Sequence, residues 1–367
     1  MPEPDFAAAG LLDGLADPER AARIGLLERL HADGCSIDEL LAATAEGRLA
    51  LLPVERLLRR RRRYSMLEGA RAAGLDDAFA ERNHRSIGLP LPGPAEPVYD
   101  DDQVENLKVL RAMVESGIAE DDVHLLGRVL GQTSHRTAQA IVDVLARALL
   151  RPGDTEAELA LRLADFAEAM LPVLDRLTGA VLRLHLLDVV QREAVVRLER
   201  DTGRVEGARV MTVAFADLAG FTALSDRLAL EELGRVARRF EDLVVEAAHG
   251  PVRLVKVLGD GAMLVSDDAA ALVRAMLHVT EAAAREGLPP VHAGVARGPA
   301  LHAAGDWLGR TVNLAARLCA AAPVGAVLAT PEVREAANGL RWDDAGRLEL
   351  RGIGEPVPAL RARASRG

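Results

Sequence analysis

The sequence predicts an α+β protein, with an all-helical N-terminal region and a C-terminal domain built around a β-sheet. Before about residue 205, apolar residues recur at the three- and four-residue spacing of helices. After Gly207, short β-rich segments alternate with helical ones. The 367 residues allow two domains, and because aromatics are only 3% of the chain, the cores must be built from Leu, Val and Ala.

The first half of the chain reads as a succession of helices. Ser36 followed by Glu39 forms a capping box at the start of one of them. Residues 64–89 have a helix-turn-helix pattern with the turn at Gly74, and a stiff linker with four prolines follows at 90–97. The other helices are predicted at 11–15, 24–30, 36–51, 101–116, 120–131, 133–150, 154–171 and 173–202.

The last of these helices has a continuous apolar stripe. Its members are Leu174, Leu177, Val181, Leu184, Leu187 and Val190. A stripe at this spacing indicates a connecting or dimerising helix. We therefore divide the chain into a helical domain at 1–172, a connecting helix at 173–206 and a C-terminal domain at 207–367.

The C-terminal domain has the element order β-α-α-β-β-α-β, which is typical of a ferredoxin-like α+β sheet with helices on one face. Gly259-Asp260-Gly261 is a strong hairpin turn between two of the strands. Strands are predicted at 209–215, 252–258, 262–266, 291–296, 300–304 and 325–329, with a final hairpin at 341–361. Helices are predicted at 222–229, 231–248, 268–286, 308–321 and 331–337.

Two acidic residues mark one end of this predicted sheet. Asp217 follows the first strand and precedes a glycine and a helix start. There its carboxylate can hold a divalent metal, while the N–H groups of residues 218–222 can cradle phosphates. Asp260 lies in the hairpin turn, so if the two strands are neighbours, both carboxylates reach the same end and can bind two Mg²⁺ around a triphosphate. Taken singly, each is also typical of a capping or turn aspartate.

Four further polar residues have a spacing that suggests nucleotide chemistry. Lys256 within a strand and Asp306 together complement the N1 acceptor and N6 donor of adenine. Asn313 and Arg317 stand four residues apart and share one helix face. Asn is mildly unfavourable inside a helix, which hints at a role. The alternatives are an exposed strand lysine, a turn aspartate and a surface polar pair.

Together these segments resemble the catalytic domain of class III nucleotidyl cyclases over residues 209–330. The matching stretches are FADLAGFT at 215–222, KVLGDG at 256–261 and GDWLGRTVNLAAR at 305–317. The resemblance implies metal ligands at Asp217, Leu218 and Asp260, adenine recognition by Lys256 and Asp306, and transition-state stabilisation by Asn313 and Arg317. It implies phosphate binding at Leu218, Ala219, Gly220, Phe221, Thr222 and Arg351.

The resemblance further implies an adenylate cyclase that converts ATP into 3′,5′-cyclic AMP and pyrophosphate. It implies two Mg²⁺ or Mn²⁺ ions per active site. Because the active sites of this family form between two catalytic domains paired head to tail, we expect a homodimer with two equivalent sites.

The N-terminal half resembles the autoinhibitory, acid-responsive helical domain of a group of actinobacterial cyclases. The matching stretches are EGRLALLPVERLL at 46–58 and the helix at 174–201. An acid response would depend on histidines, whose charge changes between about pH 5 and 8. This half contains His31, His84, His124, His135 and His185, of which we favour His185 because it lies on the connecting helix.

Two other functions are compatible with parts of the sequence. A guanylate cyclase is disfavoured by Lys256 and Asp306. A DNA-binding regulator with a nucleotide-sensing domain is suggested by the helix-turn-helix pattern and the five arginines at 59–63, but the net charge of −10 disfavours it. We expect no nucleic-acid partner and no membrane span, since no run of 18 uncharged apolar residues occurs.

The two cysteines, Cys35 and Cys319, are too few for a disulfide framework, and a cytoplasmic location is expected. An apolar helical domain can hold a lipid or another small molecule, but no residue of this one requires such a ligand.

Overall fold

A computed structural model describes residues 5–59, 62–198, 208–303 and 305–364; the side chains of residues 192–198, 208 and 222 are not described. The chain divides into two compact units, Met1–Asp201 and Thr202–Gly367. The first is helical and the second is built on an eight-stranded sheet, which confirms the predicted fold class. None of the described helices has both the length and the apolar character that crossing a membrane requires.

The helical unit contains two separate cores. Its helices are α1 (Glu19–Ala32), α2 (Ile37–Ala45), α3 (Leu52–Arg59), α4 (Met66–Ala72), α5 (Asp77–Ser86), α6 (Asp101–Glu115), α7 (Glu120–Leu149) and α8 (Glu156–Leu198). Leu27, Leu40 and Leu49 belong to a core that includes Ala160 from the start of α8. Met66 belongs to a second core, formed around α4 and α6. The predicted capping box of Ser36 and Glu39 is present at α2.

Residues 11–15 are not helical, contrary to the prediction, although Leu11 and Leu12 are buried in the first core. Gly10 and Gly14 have φ angles of 81° and 74°. These left-handed conformations interrupt any helix, and glycine adopts them without steric cost. The segment is therefore a series of turns that still buries its leucines.

Two predicted helix breaks are absent. α7 continues through the break expected near 131–133. Gly131 does not end the helix there but allows close packing, since a Cβ at this position would lie 2.3 Å from the carbonyl oxygen of Ile87. α8 continues through Pro172. Proline removes one helical hydrogen bond, but long runs of good helix formers on both sides keep the helix continuous.

The second unit is a single mixed sheet with the strand order β2-β3-β1-β4-β6-β8-β7, and β5 pairs with β4. Its strands are β1 (Ala208–Leu218), β2 (Arg253–Leu258), β3 (Gly261–Ser266), β4 (Val291–Ala303), β5 (Asp306–Leu308), β6 (Val327–Ala329), β7 (Arg341–Leu348) and β8 (Val357–Arg363). Its helices are α9 (Phe221–Ser225), α10 (Leu230–Ala247), α11 (Ala269–Arg285), α12 (Arg310–Ala321) and α13 (Pro331–Ala336). The predicted hairpin around Asp260 is confirmed as β2 and β3.

The two strands predicted at 291–296 and 300–304 are one strand, β4. It pairs with β1 without interruption from Leu218↔Val291 to Ala208↔Leu301. Pairing with β1 therefore continues through Gly298 and Pro299, the two residues that suggested a break between strands. Asp306 lies on the short strand β5 and not in a turn.

Helices cover both faces of the sheet, so the prediction of helices on one face was wrong. Phe240 of α10 and Met276 of α11 pack on the face that bears Ala214. Ala315 of α12 packs on the opposite face, against Met263 and its neighbours. Consequently β1 is buried on both sides, which a simple alternating pattern does not reveal.

Candidate active site

Asp217 and Asp260 lie together at one end of the sheet. Asp217 is the penultimate residue of β1 and is in register with Gly261, the residue after Asp260. The backbone N–H of Leu218 donates to the carbonyl oxygen of Asp260 over 3.0 Å. The structure therefore places the two predicted acidic residues at the same end of the sheet, where a backbone hydrogen bond joins the two chain segments.

Lys256 lies on the same face of the sheet as Asp217. Lys256 is in register with Met263, and Met263 is in register with Phe215 of β1. Paired residues share a face, and so do residues two apart along a strand, which puts Asp217 on that face too. This is the face on which α12 packs.

His292 is a neighbour of Asp217 that the sequence interpretation missed. It is in register with Asp217 across β4, and its Nε2 lies 3.6 Å from Asp217 Oδ2. The side chain of His292 is 13% exposed and that of Asp217 is 42% exposed. Its Nδ1 is buried and has no hydrogen-bond partner among the described residues. The β1–β4 register, once known, identifies this contact; the sequence around His292 contains no such signal.

The predicted phosphate-binding segment has fewer available donors than expected. The N–H of Leu218 already donates to Asp260, and the N–H of Ala219 donates to the carbonyl oxygen of Pro290 over 2.8 Å. Gly220 is left-handed, with a φ of 72°, and Phe221 begins α9. Only the N–H groups after Ala219 are left for an anion, and the side chain of Thr222 lies outside the described residues.

Lys256 and Asp306 form a direct ion pair between β2 and β5. Their side chains are 32% and 36% exposed. The other carboxylate oxygen of Asp306 accepts the N–H of Trp307 over 2.8 Å. Burial by itself would raise the pKa of Asp306, but the hydrogen bonds from Lys256 and Trp307 hold it below its usual value.

Asn313 and Arg317 are both exposed on α12. Neither side chain has a hydrogen bond or an ion pair within the part of the chain that the structure describes. The start of their helix is anchored to β4 by Thr311, whose hydroxyl donates to the carbonyl oxygen of Pro299 over 2.7 Å. A rigid helix thus presents an amide and a guanidinium to solvent.

Arg351 lies in the turn after β7 and is exposed. The residue before it, Leu350, is buried in a cluster with Leu318 of α12. Arg351 is therefore held close to the helix that carries Arg317, but the structure does not bring it into contact with the other candidate residues.

The donor set fits a divalent cation that is completed by substrate. No group of three or more His, Cys, Asp and Glu side chains suited to a metal occurs in the described ranges. Mg²⁺ typically takes one or two carboxylates and obtains its remaining ligands from phosphates and water. Asp217 and Asp260 supply that number. Burial raises the pKa of the nearby Cys319 thiol to about 12, and the charge of Asp217 adds to this shift.

Comparison with known proteins places both halves of the chain. Residues 4–190 match the adenylate cyclase regulatory domain. The chain is 35% identical, over 96% of its length, to a pH-sensitive adenylate cyclase of Mycobacterium tuberculosis, of which 91% is covered. It is 36% identical to an adenylate cyclase of Streptomyces coelicolor, over 78% of this chain and 75% of that protein. The solved structure of the adenylyl cyclase CyaB from P. aeruginosa is similar to 43% of this chain, over 96% of its own length, with a TM-score of 0.39 and 24% identity.

The regulatory-domain match covers more than half of the chain, and the mycobacterial relative is aligned over nearly all of both proteins. The chain therefore belongs to the adenylate cyclases that carry an N-terminal adenylate cyclase regulatory domain.

Proposed function

We propose that this protein converts ATP into 3′,5′-cyclic AMP and pyrophosphate. The observation that carries the proposal is the position of Asp217 and Asp260 at one end of the sheet, with Lys256, which is paired with Asp306, on the same face as Asp217. In a head-to-tail dimer, the triphosphate at the sheet end of one copy and the base at the Lys256–Asp306 pair of the second copy are the two halves of one nucleotide. The relatives' names agree with this substrate.

Each side chain has a definite task in this reaction. Lys256 donates to N1 of adenine and Asp306 accepts from its N6 amino group, a pattern that guanine does not satisfy. Asn313 orients the ribose so that the 3′-oxygen is in line with the α-phosphorus. The guanidinium of Arg317 neutralises charge that develops on the α-phosphate.

Asp217 and Asp260 are the residues that would hold the divalent metal, with the backbone of Leu218 as a further ligand. When bound, two Mg²⁺ or Mn²⁺ ions would supply Lewis-acid stabilisation of the triphosphate and lower the pKa of the 3′-hydroxyl. No side chain is then required as a general base. The N–H groups that follow Ala219 and the exposed Arg351 contribute to phosphate binding.

We propose a homodimer with the two catalytic units arranged head to tail. Asn313 and Arg317 are exposed and have no side-chain partner in the described parts of their own chain. This fits residues that act on a nucleotide held by the metal carboxylates of a second copy. Mixing the variants Asp217→Asn and Arg317→Ala tests it, because heterodimers would regain one intact site. Activity in the mixture above that of either variant alone supports the arrangement, and none contradicts it.

The direct test of the reaction is product analysis. Purified protein is given ATP or GTP with Mn²⁺ or Mg²⁺, and cyclic nucleotides are quantified. We expect cyclic AMP from ATP, with Asp217→Asn and Asp260→Asn inactive. Asp267→Asn is the control, because this exposed residue follows the opposite end of β3. Cyclic GMP from GTP at a higher rate would favour a guanylate cyclase, and no product from either nucleotide would favour a nucleotide-sensing regulator.

We further propose that the helical unit inhibits the enzyme and that acid relieves the inhibition. The M. tuberculosis relative is described as pH-sensitive. Two histidines of this unit are buried: His84, whose Nε2 lies 3.1 Å from the carbonyl oxygen of Pro90, and His124, which has no hydrogen-bond partner among the described residues. His185, which we favoured from the sequence, is exposed within its unit. A faster rate at pH 6 than at pH 8 supports the proposal; equal rates would remove it.

A further inference from the structure

We infer that His292 is a positioning residue that fixes the Asp217 carboxylate for metal binding. The inference rests on the proposed function, because it assumes that Asp217 is a metal ligand. His292 is not itself assigned any contact with substrate or metal. Its effect acts through Asp217.

The geometry of the contact favours the tautomer that carries its proton on Nε2. Nε2 faces an acceptor, the Asp217 Oδ2 atom at 3.6 Å, whereas Nδ1 is buried with no partner in the described part of the molecule. The ring nitrogen that carries the proton is the one whose hydrogen can reach an acceptor. An N–H group on Nε2 would face Asp217 and attract one of its two oxygens electrostatically across 3.6 Å, a distance longer than a hydrogen bond.

His292 is itself held in place by its surroundings. Its side chain is largely buried, and its carbonyl oxygen accepts the Cys319 thiol hydrogen over 3.5 Å. Two residues along β4, Gly294 lies against the backbone of α12. These two contacts fix the backbone from which the His292 side chain projects.

A fixed partner matters because Asp217 is otherwise weakly restrained. Its side chain is 42% exposed, and its other near neighbour at the sheet end, Asp260, has the same charge. Groups that orient a metal ligand typically change metal affinity by about 10- to 100-fold when they are removed. We therefore expect His292 to affect the binding of the metal more than the binding of the base.

The test compares His292→Leu with His292→Gln. Leu fills the space without a donor, whereas the Gln amide nitrogen reaches about as far as Nε2 and can still donate to Asp217. Binding of Mn²⁺ is measured by electron paramagnetic resonance in the presence of 3′-deoxy-ATP, which cannot be cyclised. We expect His292→Leu to weaken Mn²⁺ binding by about 10-fold or more, and His292→Gln to stay within about 3-fold of the parent.

His278→Leu, an exposed histidine on α11, is the matched control and should leave Mn²⁺ binding unchanged. Parent-like Mn²⁺ affinity in His292→Leu would overturn the inference, and so would equal losses in the Leu and Gln variants, since the imidazole would then only fill space. If His292→Leu does not fold, His292→Asn replaces it, because its shorter amide places the donor away from Asp217. Since no turnover is measured, failure of cyclic AMP synthesis in the parent would count against the proposed function and not against this inference.

Discussion

Gly294 of β4 lies directly against the backbone of Cys319 on α12. A Cβ at Gly294 would be 2.1 Å from the Cys319 nitrogen, and 2.4 Å from the Ala315 carbonyl oxygen. Both neighbours are backbone atoms, so neither can rotate out of the way. This contact sets the distance between the sheet that carries Asp217 and the helix that carries Arg317.

The first prediction is that Gly294→Ala displaces α12 and impairs catalysis. Overpacking of this kind costs about 1–3 kcal/mol of stability. Because Asn313 and Arg317 move with the helix, we expect kcat to fall by about 100-fold, the loss typical of a misplacement near 1 Å. Cyclic AMP synthesis and thermal unfolding check this together.

Gly354→Ala is the matched control for this substitution. Gly354 also lies in the second unit, but a Cβ there would meet nothing within 4 Å. Its activity and unfolding temperature should equal those of the parent. Full activity in Gly294→Ala would show that the position of α12 is not critical.

The second prediction concerns Asp306, which is paired with Lys256. In Asp306→Asn the neutral amide oxygen accepts a weaker hydrogen bond from the adenine amino group and from Lys256 than the carboxylate does. A hydrogen bond to a charged group is worth about 1.5–3 kcal/mol, so kcat/KM for ATP should fall by about 10- to 100-fold. Stability should change by less than about 1 kcal/mol, because both partners are about a third exposed.

Asp343→Asn provides the comparison for Asp306→Asn. It removes another exposed ion pair of the same unit, in which Arg363 Nε lies 2.7 Å from Asp343 Oδ2. We expect it to have the same small effect on unfolding and none on kcat/KM. Equal kinetics in the two variants would argue against adenine recognition by Asp306.

The sequence predicts those features of this protein that depend on local chemistry. The glycine-flanked turn at Asp260 and the capping box at Ser36 are such features, and the structure contains both. Features that depend on a distant partner are not predictable in this way. Whether Gly131 ends a helix depends on Ile87, which lies on another element.

The same limit applies to the candidate site. Asp217 and Asp260 can be predicted to meet because a single strand pairing connects them. His292 becomes visible only through the β1–β4 register, which joins residues far apart in the chain. The hydrogen bond from the Leu218 N–H to the carbonyl oxygen of Asp260 likewise depends on the folded backbone. It removes one of the phosphate donors that the sequence predicts.

The third prediction is that acid loosens the packing of α5 on α7. His124 is fully buried, and its ring lies 4.8 Å from that of Phe79. Burial lowers the pKa of His124, and the positive charge of Arg82 on α5 lowers it further. The other charged groups near it are Glu120, Asp121 and Arg128 of α7, of which Asp121 is paired with Arg82.

The sign follows from the direction of this shift. Because the folded pKa is below the unfolded value of about 6.5, the unfolded state takes up the proton first as the pH falls. His124 therefore contributes its full stabilisation of the packing between α5 and α7 above about pH 6.5. This contribution is lost as the pH falls below that value. We expect amide exchange in α5 and in the first half of α7, corrected for chemical rates, to be faster at pH 5.5 than at pH 7.5.

His124→Phe should remove part of this pH dependence, since a neutral ring remains neutral in acid. The exposed His135→Phe, on the same helix, should keep the parent profile. An unchanged profile in His124→Phe would place the response elsewhere, with the buried His84 as the next residue to replace.

The fourth prediction is that Gly131→Ala opens the same helix contact without acid. A Cβ at Gly131 would be 2.3 Å from the carbonyl oxygen of Ile87, which follows α5 and cannot yield as a flexible side chain would. The substitution should cost the helical unit about 1–3 kcal/mol. If the packing of α5 on α7 is needed for inhibition, Gly131→Ala should raise cyclase activity at pH 8 and reduce the difference between pH 8 and pH 6.

Gly25→Ala on α1, where a Cβ would meet nothing within 4 Å, should do neither. A destabilised but still inhibited Gly131→Ala enzyme would show that this contact stabilises the regulatory unit without controlling catalysis.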